Sequence, residues 1–281
     1  VKIDLHTHSN HSDGSLNPTE LIAAAAHAGI EVLALTDHDS VAGVEEATRS
    51  AAAHSVQAPQ SLKIVPGVEI SAAWRSQGIH VLGLWVDPAS AELNAQLNSQ
   101  AHRRHIRMRN LCARLTEMGL PGATLLATVE GHPGLPTRAH LAAAMVAAGH
   151  VNDNEEAFVK YLGRGKAAAL ANQWPMLAEV VGWITGAGGV ASLAHPLRYK
   201  LSAGARRQLI TDFKTAGGTG LEVVTGGHAA AQIDTCAQLA MQFGLAGSVG
   251  SDFHHPHVSW NPLGRLAKLP VGVTPLWQKF L

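Results

Sequence analysis

Asp4-Leu5-His6-Thr7-His8-Ser9, followed by Asp13-Gly14, is the stretch whose reading decides the fold. The apolar run Val1–Leu5 predicts a short strand. Alternate residues of an extended strand share a face, so His6 and His8 point the same way at its C-terminal end. Two imidazoles so placed can hold one divalent metal, and Asp13 in the following loop can hold another. The pattern recurs outward along the chain. Thr36-Asp37-His38-Asp39 follows a second strand, Glu31–Leu35. Gly67-Val68-Glu69-Ile70 belongs to a third, Leu62–Val65 with Val68–Ser71, and His80 opens a fourth, His80–Val86. Leu193-Ala194-His195-Pro196 closes a fifth, Gly189–Ala194, and Ser251-Asp252-Phe253-His254 closes the last, Ala246–Ser251. Six strand ends therefore deliver His, Asp or Glu, and the C-terminal rim of an α/β barrel is where sites are built.

Between these strands lie helical patterns: Pro18–Ala28, Val41–His54, Met176–Thr185, Ala205–Ala216 and Ala230–Phe243, with a further strand at Leu221–Thr225. Seven strands alternating with helices predict an α/β fold with a parallel, barrel-like sheet. The middle breaks the rhythm. Ser90–Met118 is one long helical pattern ended by Gly119 and Pro121, and Thr137–Ala148 and Glu155–Leu162 are further helices. No strand pattern occurs between about residues 90 and 175, so residues 90–175 read as an all-helical insertion. Residues 1–89 and 176–281 then form the barrel, with an irregular tail from Trp260 to Leu281.

Composition narrows the function. The 281 residues carry 21 Lys+Arg against 21 Asp+Glu, so there is no global attraction to nucleic acid or to a membrane surface. Two cysteines, Cys112 and Cys236, make neither a disulfide framework nor a thiolate metal site. No apolar run approaches the roughly 18 residues that would span a bilayer. No signal-peptide pattern opens the sequence, so the cytoplasm is the expected location. The 17 histidines exceed what core packing usually asks for and point toward metal. Imidazole and carboxylate without thiolate suit Mn, Zn or Fe, and the set suffices for two or three ions.

The runs Asp4–Ser9, Thr36–Asp39, Gly67–Ile70, Ala194-His195-Pro196 and Gly250–His254 resemble the motifs of the PHP (polymerase and histidinol phosphatase) family of phosphoesterases. In the insertion, Thr137-Arg138-Ala139-His140-Leu141 and Tyr161–Lys166 resemble the subgroup of nucleoside bisphosphate phosphatases and 5′-to-3′ exoribonucleases. The resemblance implies a distorted seven-stranded TIM-like barrel with a trinuclear metal centre, Mn2+ being the favoured ion and Zn2+, Fe2+ or Mg2+ the alternatives. It implies that His6, His8, Glu69 and Asp252 hold the first ion, and that Glu69 bridges to a second on His80 and His195. Asp13, His38 and His254 would hold the third. Thr137-Arg138-Ala139-His140 stands where the subgroup has Gly-Arg-Pro-His, and Lys166-Ala167-Ala168-Ala169 where it has Lys-Pro-Ala-Tyr. Both departures leave the cations in place.

The implied activity is hydrolysis of the 3′-phosphate of 3′,5′-nucleoside bisphosphates such as pAp by a metal-bridged hydroxide. The alternatives are exonucleolytic trimming of short RNA and a non-catalytic metal-binding module. The strand ends carry no Lys that could be carbamylated, which counts against an amidase. Arg138, His140, Arg164, Lys166 and Arg198 are the candidates for gripping the second phosphate, Arg as a fork and Lys as a point charge. Asp39 is a candidate for orienting a metal-bound group. Trp74 either stacks on a base or covers the core edge. The basic stretch Arg103–Arg109 reads as a solvated helix face rather than an RNA track. A nucleotide is the expected small-molecule partner; no membrane and no obligate protein partner is expected.

Overall fold

Seven strands form one sheet in sequence order in the computed structural model, which describes residues 1–57, 61–163, 165–166, 168, 170, 173–257 and 261–280. The strands are β1 (Ile3–Thr7), β2 (Val32–Leu35), β3 (Lys63–Trp74), β4 (Gln77–Leu84), β5 (Val190–Leu193), β6 (Gly220–Thr225) and β7 (Ala246–Gly250). Beyond β7 the backbone returns to β1: the Asp252 N–H donates to the His6 carbonyl at 2.8 Å and the His8 N–H donates to the Phe253 carbonyl at 2.9 Å. The sheet thereby curls into a nearly closed, distorted barrel with the ligand motifs at one end.

The sheet is mixed, which corrects the all-parallel expectation. β3 and β4 pair antiparallel from Gly67↔Leu84 to Trp74↔Gln77, and β4 also runs antiparallel to β5. The reason is local: only Arg75 and Ser76 separate the two strands, and Arg75 takes a left-handed φ of 53° that a tight reversal requires. The third strand is also longer than its two apolar halves suggest, running unbroken through Pro66 and Gly67. Reversal brings the start of β4, with His80, to the rim where the other strands end.

Helices α1 (Pro18–His27) and α2 (Val44–Gln57) follow β1 and β2. α1 begins where Asn17 and Glu20 form a reciprocal capping box with Pro18 in the first turn. Four helices stand between β4 and the return to the barrel: α3 (Ala91–Glu117), α4 (Gly122–Glu130), α5 (Arg138–Ala147) and α6 (Asn154–Ala157), the last running into a π-helical turn at Phe158–Leu162. α4 is absent from the sequence reading, because Gly119 and Pro121 look like terminators; Pro121 instead sits at the N-cap of a helix that buries Leu125 and Val129. These helices share a core of their own around Met108, Leu111, Leu115, Leu141 and Met145. Three helices, α7 (Leu177–Gly186), α8 (Ala203–Thr215) and α9 (Ala230–Phe243), complete the barrel's outer layer. Among the described residues no helix is long and apolar enough to cross a membrane.

Candidate metal centre

The strand ends converge on Glu69, which is fully buried. His6 and His8, alternate residues on β1 as the pleat demands, bring their Nε2 atoms to 3.1 Å from each other. Each Nε2 is 3.4 Å from Glu69 Oε2 and 3.3 Å from Asp252 Oδ1. A tetrahedral ion with ligands at about 2.1 Å has donor–donor edges of roughly 3.4 Å, so this quartet has the size of a divalent-ion cage. A second group gathers His38 and His80 around the same carboxylate. His38 Nδ1 is 2.9 Å from Glu69 Oε2, and His80 Nδ1 is 2.9 Å from Glu69 Oε1. His195 Nε2 adds a contact of 3.0 Å to Oε1. His80 reaches Glu69 because Ser71 pairs with His80 across the β3–β4 hairpin, which places Glu69 two residues away on the same face. The third group is Asp13, His38 and His254 together with His8, with Asp13 Oδ1 3.2 Å from His254 Nε2 and 3.8 Å from His38 Nε2.

Some of these atoms meet in hydrogen bonds, as at His6–His8, His80–Glu69 and His195–Glu69, while others complete none. His38 Nδ1 and Glu69 Oε2 complete no hydrogen bond despite their proximity, and neither buried Asp13 Oδ1, which has the His254 imidazole as an ion-pair neighbour, nor His195 Nδ1 has a hydrogen-bond partner among the described residues. Burial opposes the ionisation of Asp13, Glu69 and Asp252, yet the surrounding imidazoles outweigh it and hold all three well below the usual carboxylate range. Burial, and then the charge of His254, push His8 down to about 3, which makes it the neutral imidazole a metal requires. Ionised carboxylates, a neutral imidazole and unpartnered buried lone pairs fit divalent cations. Backbone strain marks the same place: His195, Asp252 and Asp39 adopt φ of 29°, 55° and 50°.

Sequence reasoning missed the groups that hold these ligands. Glu222 on β6 is fully buried; Oε1 accepts from His6 Nδ1 at 2.9 Å, while Oε2 accepts from the His195 N–H at 2.6 Å and from Thr225 at 3.1 Å. That bond fixes the His6 tautomer and leaves Nε2 for the ion. A lone Glu inside the apolar run Leu221–Val224 was the available signal, since a buried charge needs a partner. Gly250 is required beside it, because a Cβ there would overlap His6. Asp37 accepts from the Ser9 N–H at 2.8 Å, the Ser9 hydroxyl at 2.7 Å and the Ser12 hydroxyl at 2.6 Å, which pins the loop carrying Asp13. Replacing Glu222 with Gln is expected to weaken the His6–His8 ion site by about 10- to 100-fold. Mn2+ titration of metal-depleted protein would show it; wild-type affinity would reduce Glu222 to a tie between β5 and β6.

A cavity of about 760 Å³ opens from Asp13, His38 and His80 and extends between the β3–β4 hairpin and the helical insertion. Arg104, Arg107, Arg138 and Trp174 line it as well. Arg138 occupies the cavity wall, where burial and then the charge of Arg104 lower its pKa. Arg104 and Arg107 correct the solvated-face reading of their helix. Burial, then Arg138 and Arg104, bring Arg107 down to about 10. Arg198 is taken up by the centre itself, bonded to Asp252 and to the Gly226 carbonyl. His140 caps α5 by accepting from the Thr137 N–H at 3.3 Å and stacks on His132, outside the cavity lining. Lys166 is exposed and also outside that lining, and Arg164 lies outside the described residues. Trp74 takes the core-edge role and not the stacking one: it is buried, with its indole N–H donating to Asp212 at 2.7 Å. Trp174, a hundred residues on, is the tryptophan that faces the cavity. Asp39 is buried without reaching the ions' donor groups, and accepts instead from Ser71, Gln100 and Arg104.

The PHP domain family profile matches residues 4–161. A 5′-3′ exoribonuclease of Haemophilus influenzae is 42% identical over 283 residues, covering 99% of both chains. A 3′,5′-nucleoside bisphosphate phosphatase of Chromobacterium violaceum is 39% identical over 285 residues, covering 99% of this chain and 96% of the relative. The solved structure of an amidohydrolase from Chromobacterium violaceum, with bound sulfate and no metal, superposes with a TM-score of 0.91 at 39% identity, covering 99% of this chain and 95% of that one. On the extent of these matches, the chain belongs to the PHP domain family.

Proposed function

We propose that this metal-dependent phosphoesterase removes the 3′-phosphate from 3′,5′-nucleoside bisphosphates, converting pAp to AMP and phosphate. The observation that carries the reading is that one cavity is lined both by Asp13, His38 and His80 of the candidate ion groups and by Arg104, Arg107 and Arg138. A substrate with two phosphates on one nucleoside has one anion for the ions and one for the arginines. Divalent cations, Mn2+ in our reading and two or three in number, supply Lewis acidity toward phosphoryl oxygens and lower the pKa of water. The protein's own groups do the rest. Glu69, Asp13 and Asp252 with their histidines would hold the ions in preset positions, so that a phosphate would meet fixed charge with little reorganisation. The arginines orient the nucleotide by its other phosphate.

Trimming of short RNA from its 5′ end is the second reading, supported by the 42% identical relative named for it. Phosphate release from pAp and shortening of a 5′-phosphorylated oligoribonucleotide, measured side by side with Mn2+ and then chelator, separate the two. Metal-dependent phosphate release with little shortening supports the phosphatase; mononucleotide release without free phosphate replaces it with the exonuclease. Silence on both with ions confirmed bound would favour a non-catalytic module. On the active substrate, Arg138→Ala is expected to raise KM by about 10- to 100-fold with a smaller change in kcat, as loss of a charge-assisted contact worth roughly 1.5–3 kcal/mol implies. An unchanged kcat/KM would remove Arg138 from the binding surface.

A further inference from the structure

We propose that Arg104 is a positioning residue through which the helical insertion sets the ligand loop of the metal centre. The inference rests on the metal-binding reading of that centre and is independent of which phosphoester is the substrate. α3 packs with a buried stripe: Leu93, Leu97, Gln100, Arg104, Met108, Leu111, Cys112 and Leu115. Two polar residues interrupt it where the helix passes the rim, and both reach the same carboxylate. Arg104 Nε donates to Asp39 Oδ2 at 2.6 Å, and Gln100 Nε2 donates to Asp39 Oδ1 at 3.2 Å. Arg104 Nη2 donates to the Ser71 hydroxyl at 2.9 Å, and Gln100 Nε2 also donates to the Ser71 carbonyl at 2.8 Å.

Asp39 is where this network meets the ions' ligands. It directly follows His38, its φ is 50°, and its N–H donates to the Glu69 carbonyl at 2.9 Å. The Glu69 N–H in turn donates to the Asp37 carbonyl at 3.1 Å. Asp39 thus clips the loop of His38 to the strand of Glu69, in a conformation that a non-glycine residue holds only when its surroundings fix it. A buried carboxylate in such a place needs a cation, and the planar guanidinium answers Asp39 and Ser71 at once. Arg104 also lines the substrate cavity and lies 5.4 Å from the Trp174 ring centroid. One side chain therefore borders the cavity proposed to take the substrate and holds the backbone of His38, which sits in two of the three candidate ion groups. Anion binding and ion binding are expected to be linked through it, each strengthening the other by the same factor.

Mn2+ titration of metal-depleted protein, by calorimetry and by electron paramagnetic resonance, tests this without any substrate. Arg104→Met should weaken the ions that use His38 by 10- to 100-fold and leave the His6–His8 ion within about threefold. Arg138→Ala, which touches the cavity but not Asp39, should leave every Mn2+ affinity unchanged. Asp39→Asn keeps shape and its Ser71 contact, so it should reproduce the Arg104→Met loss, and the double variant should add nothing further. Wild-type Mn2+ binding in Arg104→Met with only KM raised would overturn the proposal, leaving Arg104 as an anion contact. Uniform weakening of all ions in step with the melting temperature would also overturn it, making Arg104 a fold staple. Should Arg104→Met not fold, Asp39→Asn decides: normal Mn2+ binding in that variant rejects the proposal.

Discussion

Glu69→Gln is expected to lower kcat by on the order of 10³-fold or more while the barrel stays folded. Oε1 faces His80 and His195, and Oε2 faces His6, His8 and His38, so five imidazoles share one carboxylate. The amide has the same shape but no net charge, and one of its ends carries N–H donors where lone pairs must point at ions. Two candidate ion groups contain this residue, so both are impaired by one atom exchange. Turnover at saturating Mn2+, metal content by mass spectrometry and far-ultraviolet circular dichroism decide the matter together. A folded variant with kcat within tenfold of wild type would show that the carboxylate does not bridge the centre.

Removal of the divalent ions should have the second large effect, on stability as well as activity. Each ion present at 100 times its dissociation constant adds about 2.7 kcal/mol to folding. For a chain of this size that shifts the melting temperature by roughly 5–10 °C per ion. Chelator should therefore lower the thermal midpoint by at least that amount, and Mn2+ should restore it. The metal-free protein has a partial substitute: although burial opposes it, Asp13 and Asp252 raise His254 to about 10, so an imidazolium stands near the carboxylates. Ion binding must displace that proton. Mn2+ binding heats should depend on the ionisation enthalpy of the buffer, and affinity should fall as pH is lowered. A midpoint unmoved by chelator would mean that the donor cluster holds no ion in solution.

The ligand motifs were legible because their information is local. His6 and His8 share a face through the two-residue period of a strand, and His38, His195 and Asp252 each stand where a strand gives way to its loop. Donor type and strand-end position are visible without a neighbour. The seven strands were legible for the same reason, from short apolar runs punctuated by Gly and Pro. Strand direction was not: the reversal at Arg75-Ser76 has no Asn-Gly or Gly-Gly to announce it, and a parallel sheet would have carried His80 away from Glu69.

Helix orientation divides the remainder. The pattern of Ser90–Met118 predicts a helix, but which side of α3 meets the barrel depends on packing against β3 and the insertion's own core. Arg103, Arg104, Arg107 and Arg109 look alike as sequence; only docking of the helix turns Arg104 and Arg107 into the cavity. The choice between Trp74 and Trp174 has the same cause, since one indole is buried by the barrel's outer helices and the other is carried to the cavity by the returning chain. The sequence by itself determined the His, Asp and Glu residues that stand at strand ends, and the family. The tertiary structure alone decided the hairpin's sense, the arginines that line the cavity and the partners Glu222 and Arg104. Donor chemistry is a property of single residues and short spacings, whereas a shared cavity or a buried partner exists only between segments that folding brings together.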